Sequence, residues 1–210
     1  MAQQQDPYPL QFSVDYPDRP LDRLSSFFRV IAAIPIVIVL VLVSAGSLDD
    51  RKDAQSTAGF VGGIVLFAPV LMILFRQKYP RWWFDWNLAL LRFGNRVGVY
   101  LCLLRDEYPS TDEEQAVHLE VPYPDAKKDI DRWLPLLKWL LAIPHYMVLV
   151  ALFLALVAVV IGAWFAILFT TRYPRSLFDF VVGVIRWSNR VTAYAFLLAT
   201  DKYPPFRFSP

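Results

Sequence analysis

The stretch RYPRSLFDFVVGVIRWSNRVTAYAFLLATDKYPPF, Arg172–Phe206, has a near copy earlier in the chain, KYPRWWFDWNLALLRFGNRVGVYLCLLRDEYPS, Lys78–Ser110. Both are mostly apolar, yet both keep one Asp and three Arg at matching places. The residues that agree at one constant spacing are Arg81/Arg175, Phe84/Phe178, Asp85/Asp179, Arg92/Arg186, Asn95/Asn189, Arg96/Arg190, Val97/Val191 and Tyr100/Tyr194. Chance does not produce so many agreements, so the sequence predicts a tandem duplication.

The likeness extends on both sides of these stretches. VDYPD (Val14–Asp18) recurs as VPYPD (Val121–Asp125). An Ala-Ile-Pro triplet follows both Arg29 and Lys138, and in each case its proline lies six residues after the cation. We therefore divide the chain into a polar N-terminal tail, a first repeat, an acidic linker and a second repeat that overlaps the linker's end. These parts are residues 1–10, 11–110, 111–120 and 117–210, in that order.

Composition indicates a membrane protein. Of the 210 residues, 56% are hydrophobic, and this share exceeds the usual value of about 45–50% for soluble domains. Charged residues cluster between long apolar runs. The net charge of +2 and the lack of a basic run argue against nucleic-acid binding. The single cysteine, Cys102, has no possible partner in the chain and is interpreted as a packed thiol.

The apolar runs predict membrane-spanning helices, because about 20 helical residues cross the hydrocarbon core. In the first repeat, Leu24–Ala45 and Ala58–Phe75 flank a polar loop, Ser47–Thr57. In the second, Trp133–Thr171 is nearly uninterrupted, and by analogy we predict a hairpin that turns near Leu152–Leu156. The alternative is a single crossing, which is favoured by small residues at helical spacing through the proposed turn. These small residues are Ala151, Ala155, Ala158, Gly162 and Ala166.

The predicted fold class is an all-α membrane protein made of two tandem repeats with pseudo-two-fold symmetry. Each repeat is a transmembrane hairpin followed by an amphipathic helix, which gives about four transmembrane helices. Lys and Arg flank both ends of each apolar block, so the positive-inside rule places those ends, and both termini, in the cytoplasm. Arg29 and Lys138, inside the runs, are expected to reach up to the lipid headgroups.

A charged stripe runs along each amphipathic helix when its residues are placed at about 100° per residue. We expect these helices to lie on the membrane surface, with Arg facing lipid phosphates and Trp at headgroup level. Alternatively they cross the membrane, and Asp85 pairs with Arg186 and Asp179 with Arg92. The candidate lipid- or partner-contacting residues are Arg81, Asp85, Arg92, Arg96, Arg175, Asp179, Arg186, Arg190, Trp82, Trp83, Trp86 and Trp187.

The sequence offers little catalytic chemistry. It has only two histidines and none of the common nucleotide, zinc or nucleophile motifs. His118 lies in the acidic linker, whereas His145 follows Pro144 inside an apolar run and is a possible ligand of a pigment or haem. Asp106 and Asp201, at matching places, are interpreted as turn carboxylates. We predict no catalytic residue, no metal and no cofactor, and we expect bound lipids.

The segments AIPHYMVL (Ala142–Leu149) and Ala163–Phe206 resemble bacterial membrane proteins of the domain-of-unknown-function family 4389. The resemblance covers both repeats and is looser in the first, where Trp82 and Trp83 replace Ser176 and Leu177. It implies a bacterial integral membrane protein and suggests no reaction.

Three hypotheses follow from the sequence. The leading one is a non-enzymatic, multi-pass protein of the bacterial inner membrane, a scaffold or accessory subunit that packs against lipids, further copies of itself or a larger membrane complex. The second is a small transporter or channel with a pathway between the two repeats. The third is a pigment- or haem-associated subunit that uses His145.

Overall fold

The computed structural model describes residues 8–45 and 69–209. Residues 69–76 are helical in addition to the elements named next. In chain order the elements are β1 (Gln11–Val14), α1 (Arg23–Ala45), α2 (Arg81–Leu101), β2 (Val117–Glu120), α3 (Leu134–Leu141), α4 (Ile143–Thr170) and α5 (Arg175–Ala195).

Among the described residues, two helical stretches are long and apolar enough to cross a membrane: Arg23–Val43 and Leu134–Thr170. The predicted hairpin near Leu152–Leu156 is wrong, because α4 continues through these residues. That stretch, Leu-Phe-Leu-Ala-Leu, holds no Gly or Pro to turn the chain, and its Leu and Ala residues favour helix. The break comes earlier, at Ala142, where Pro144 lies in the first turn of α4 and costs no hydrogen bond there.

Matching non-glycine residues in the left-handed conformation end the helical segments. Thr171 caps α4 with φ 60°, and Gln77 follows residues 69–76 with φ 46°. Leu103 and Leu198 follow α2 and α5, with φ 63° and 55°. Residues other than glycine rarely adopt this backbone conformation, so the surrounding packing must hold these four turns.

Four-residue strands make a small antiparallel sheet that the all-α prediction did not include. Phe12 is opposite Leu119, and Val14 is opposite Val117. The predicted acidic linker thus contributes strand β2. Alternation along each strand buries one side of the sheet and leaves polar residues such as Ser13 and Glu120 on the other.

The elements are arranged in layers. The sheet packs on α2 and α5, with β1 on α5 and β2 on α2. Beneath them, α1 packs on α2, α4 packs on α5, and α1 also contacts α4. The largest apolar core lies between the sheet and the helices and includes Leu10, Phe12, Leu119 and Val181.

Parts of the predicted organisation lie outside the described residues. These are the loop Ser47–Thr57, most of the run Ala58–Phe75, and residues 1–7 of the N-terminal tail. The first predicted run, Leu24–Ala45, coincides with α1.

Candidate functional site

The arginines of the charged stripe bond the sheet and the adjoining segments to α2 and α5. On α2, Arg92 donates through Nε to the Leu119 carbonyl in β2 (3.0 Å). Arg96, one turn later, donates to the carbonyls of Glu113 (2.9 Å) and Thr111 (3.0 Å). These side chains therefore contact backbone of the linker and the sheet, where we had expected lipid phosphates.

The corresponding arginines on α5 make the same kind of contact. Arg186 donates to the carbonyls of Phe12 (2.9 Å) and Phe208 (2.7 Å). Arg190 donates to those of Arg207 (3.1 Å) and Ser209 (2.6 Å). The alternative pairing of Asp85 with Arg186 is not formed, since Arg186 is directed at these carbonyls.

Burial changes the acidity of these guanidinium groups. Arg190 is only 1% exposed, and burial lowers its pKa to about 10. Burial likewise lowers the pKa of Arg96 and Arg186. All three still carry a proton at neutral pH, so each carbonyl contact is a charge-assisted hydrogen bond.

The first turns of α2 and α5 present the remaining stripe residues. Arg81 lies over the Tyr123 ring at 5.5 Å, and Arg175 over the Tyr16 ring at 4.5 Å. Exposed Arg175 also pairs with Asp179 at 3.5 Å, one turn along α5. Its counterpart on α2, Asp85, is exposed. Contact of these exposed side chains with lipid or a partner stays a prediction.

The four tryptophans that we singled out have different environments. Trp82 and Trp86 are 71% and 55% exposed, whereas Trp83 is buried in the core. Trp187 is also buried, and its indole N–H donates to His145 Nδ1 (3.1 Å). Only Trp82 and Trp86 are thus available on the surface for lipid or a partner.

Buried ion pairs join the apolar helices to the turns that follow α2 and α5. Lys138, fully buried on α3, contacts Asp201 at 2.7 Å and also donates to the Thr200 carbonyl (2.8 Å). Arg29, buried on α1, pairs with Asp106. The expected reach of both cations to the headgroups is therefore wrong, because a carboxylate within the protein holds each of them.

Each of these carboxylates has a second contact that fixes a helix start. Asp106 accepts the Asp22 backbone N–H (2.8 Å) ahead of α1, and Asp201 accepts the Asp131 N–H (2.6 Å) ahead of α3. Our sequence interpretation missed the pairing, although the recurrence of both an internal cation and a terminal Asp in the two copies was a usable signal.

The amphipathic helices meet at a pair of asparagines. Asn95 Nδ2 donates to Asn189 Oδ1 (3.0 Å), and Asn189 Nδ2 donates to Asn95 Oδ1 (2.7 Å). Both side chains are buried. A reciprocal amide pair satisfies donor and acceptor on both sides, as burial requires.

His145 lies in an aromatic enclosure. Its ring is fully buried and stacks on Phe206, with ring centres 4.0 Å apart, beside Tyr203 and Trp187. Because its Nδ1 accepts the indole proton, a neutral ring carries its own proton on Nε2, which has no hydrogen-bond partner among the described residues. Neither nitrogen therefore offers a free lone pair to a pigment or haem iron in this arrangement.

Within residues 8–45 and 69–209, no group of three or more His, Cys, Asp and Glu side chains is arranged to hold a metal ion. Burial raises the pKa of Cys102 to about 12, so this thiol stays protonated and unreactive at neutral pH.

The apolar helices leave most of their surface uncovered. Only 22% of the apolar stretch in α1 and 17% of the stretch across α3 and α4 are buried. Leu154, near the middle of α4, is 71% exposed. Other exposed apolar residues on these helices are Leu24, Phe27, Phe28, Val30, Ile31, Ile34, Ile38, Trp139, Met147, Val150, Val157, Ile161, Phe165 and Phe169. Such a continuous apolar surface marks a lipid- or protein-contacting face.

Comparison with protein-family models matches residues 133–207 to the family described as Domain of unknown function (DUF4389). The match spans α3, α4, α5 and the segment that follows them. No curated protein and no solved structure matches the chain.

Proposed function

We propose that the chain, whose residues 133–207 match the DUF4389 family model, is a non-enzymatic membrane scaffold or accessory subunit. It would pack against lipids, further copies of itself or the helices of a larger complex. The observation that carries this proposal is the uncovered apolar surface of α1 and α4, on which Leu154, near the middle of α4, is 71% exposed. In water that surface would drive aggregation, whereas in a bilayer it is at its lowest free energy.

The polar groups favour a structural role over a catalytic one. Arg29, Lys138, Asp106 and Asp201 are used to join helices to turns. Removing one partner of a buried pair leaves an uncompensated charge, so such pairs hold a single arrangement of the chain. A scaffold needs that rigidity, because its partners recognise a fixed surface.

We include a tandem duplication with pseudo-two-fold symmetry in the proposal. It is supported by contacts that recur at sequence-matched positions: Arg92 and Arg186 reach the residues that face each other across the sheet, Leu119 and Phe12. Asn95 and Asn189, themselves a matched pair, bond to each other. Tyr16 donates to the Tyr173 carbonyl, and Tyr123 donates to the Tyr79 carbonyl.

The location that fits these features is the bacterial cytoplasmic membrane, with both termini on the cytoplasmic side. Lys and Arg accompany both ends of the apolar helices, as the positive-inside rule requires of cytoplasmic ends. The family resemblance supports a bacterial source.

Membrane insertion is tested by placing one charge on the apolar surface. Leu154→Arg is compared with Ser176→Arg, a change at an exposed position at the start of α5. An Arg at the centre of a membrane helix costs at least about 2.5–3.5 kcal/mol on insertion scales. We expect the full chain to remain in carbonate-washed membranes, Leu154→Arg to be depleted there, and Ser176→Arg to behave as the parent chain.

The scaffold itself is tested by mild detergent extraction followed by native mass spectrometry. A stoichiometric partner or a defined oligomer is the expected result. A chain that stays soluble without detergent contradicts the membrane location, and a fully stable lone monomer contradicts the scaffold role.

A further inference from the structure

The molecule has a polar face and an apolar face on opposite sides. The outer side of the sheet carries Gln11, Ser13 and Glu120, all exposed, and Asp15 follows β1 with its side chain 63% exposed. The sheet is separated from α1 and α4 by the layer of α2 and α5. The apolar surface of α1 and α4 is therefore turned away from the charged side of the sheet.

The sheet lies beside the middle of the helices rather than at their ends. Arg92 contacts β2 from the middle of α2, and Arg186 contacts β1 from the middle of α5. α1 runs antiparallel along α2: Arg29 is at the Tyr100 end, and Ile36 packs with Phe93 further along. α4 likewise packs along α5, with His145 bonded to Trp187 and Leu149 packed with Trp187 and Val191.

This geometry disfavours helices that stand along the membrane normal. Were α1 and α4 to cross the bilayer, the polar outer side of the sheet would lie level with the hydrocarbon core. There Asp15, Glu120 and the strand edges would have no water. A 28-residue α4 is also about 42 Å long at 1.5 Å per residue, which exceeds a core of about 30 Å.

Cations accompany both ends of the apolar layer. The start of α1 lies against the end of α4, where the Leu21 N–H donates to the Thr171 carbonyl (2.8 Å), and Arg172 follows directly. The opposite end, before α3, carries the exposed Lys127, Lys128 and Arg132. Because both ends of the apolar layer carry basic residues, both ends can contact the anionic headgroups of the same membrane face.

We propose that the described part of the chain, residues 8–45 and 69–209, is embedded in one leaflet from one side of the membrane. In this arrangement α1 and α4 lie along the plane of the leaflet as an apolar floor, α2 and α5 lie above them, and the sheet faces water. An apolar helix about 10–12 Å across fits within half of a core about 30 Å thick. This inference rests on the proposed membrane location and replaces the multi-pass topology that the sequence predicted.

The test is the sidedness of single cysteines in the full chain, within cell-derived vesicles of both orientations. Lys128→Cys and Arg172→Cys flank α3–α4, Ser13→Cys marks the sheet, and Leu154→Cys marks the floor. All are made in a Cys102→Ala background. The Cys102→Ala chain without an added cysteine serves as the control for background labelling.

We expect a membrane-impermeant maleimide to label positions 13, 128 and 172 from the same side, and position 154 from neither. A spin label at position 154 should be broadened by lipid-soluble oxygen and not by an aqueous relaxation agent. Labelling of positions 128 and 172 from opposite sides overturns the one-leaflet arrangement while leaving the membrane location intact. Labelling of all four positions, with the chain lost from washed membranes, overturns the membrane location itself.

Discussion

Asn95 and Asn189 exchange hydrogen bonds in both directions between α2 and α5, at the place where the two amphipathic helices meet. Each side chain is buried, and the two occupy matching positions in the similar stretches Lys78–Ser110 and Arg172–Phe206. The pair thus joins the two halves of the polypeptide through a contact that neither half can make alone.

Replacing both members of this pair should lower the unfolding free energy by less than twice the loss caused by replacing one member. Asn95→Leu or Asn189→Leu alone leaves a buried amide unsatisfied, which costs about 1–3 kcal/mol of unfolding free energy. The double variant removes both polar groups, so its loss should be smaller than the sum of the two single losses. Thermal unfolding in detergent, followed by tryptophan fluorescence, measures the three values.

The matched control is Asn87→Leu. Asn87 lies on α2 and donates only along its own helix, to the Trp83 carbonyl. It should change stability little and show no coupling with Asn189→Leu. Strict additivity of Asn95→Leu and Asn189→Leu would contradict the coupling of the halves through this pair.

The Lys138–Asp201 pair should contribute more to stability than the exposed charges near it. Among the described residues, Lys138→Met leaves Asp201 with the Asp131 N–H as its one remaining partner, and it should lower the unfolding free energy by about 3 kcal/mol. Lys202→Met, at the exposed residue after Asp201, is the control and should stay within about 0.5 kcal/mol of the parent.

Adding Asp201→Asn to Lys138→Met tests the cause. Asparagine keeps an oxygen for the Asp131 N–H and removes the unpaired charge, so part of the lost stability should return. Equal losses for Lys138→Met and Lys202→Met in chemical unfolding would show that the pair is not structural.

The sequence predicted the helical elements well because their signals are local. The apolar run Leu24–Ala45 became α1, and the proline-led stretches from Arg81 and Arg175 became α2 and α5. The continuous α4 could also have been predicted, since the small residues from Ala151 to Ala166 keep their helical spacing through the proposed turn. Analogy with the first copy outweighed that signal and gave the wrong hairpin.

The partners of the charged residues could not be derived in the same way. An Arg inside an apolar run satisfies its charge equally well at the headgroups or on a carboxylate far along the chain, and the periodicity of one helix does not distinguish these outcomes. The sheet was missed because its strands are four residues long and their pairing is set by the helices beneath them. Short strands carry little pattern of their own.

Gly183 should be intolerant of a side chain, because a Cβ there would lie 2.8 Å from Phe208 Cβ. Gly183→Ala should displace Phe208 from the rings of Trp187 and Phe180, which it contacts. We expect altered Trp187 emission and faster proteolysis of the C-terminal segment. The matching position of the earlier stretch is already alanine, Ala89.

Gly98→Ala provides the control on α2. A Cβ at Gly98 meets no atom within 4 Å, so alanine should leave the fold intact and stabilise the helix by about 0.5–1 kcal/mol. If Gly183→Ala behaves like Gly98→Ala in both emission and proteolysis, the close packing of the C-terminal segment on α5 is contradicted.

His118 should make stability depend on pH. Its Nε2 contacts Asp15 at 3.2 Å and its Nδ1 contacts Glu114 at 3.3 Å, and hydrogen bonds to these carboxylates raise its pKa above the ordinary 6.5. A raised pKa in the folded state means that folding favours the protonated ring. The stabilising contribution is therefore complete below pH 6.5, falls as the pH rises through the folded-state pKa, and is absent above it. Because the groups are partly exposed, it should not exceed about 1 kcal/mol.

The measurement is the difference in unfolding free energy between the parent chain and His118→Gln, recorded at a series of pH values from about 6 to about 8. The difference should be largest at about pH 6 and decline toward about pH 8. Asp15→Asn should reduce its size and move its midpoint toward the ordinary histidine value, because the ring loses its strongest acceptor. Asp18→Asn, two residues beyond Tyr16 and exposed, is the control and should leave the profile unchanged. A difference that stays constant across the interval would show that His118 does not join β2 to the turn after β1 through its proton.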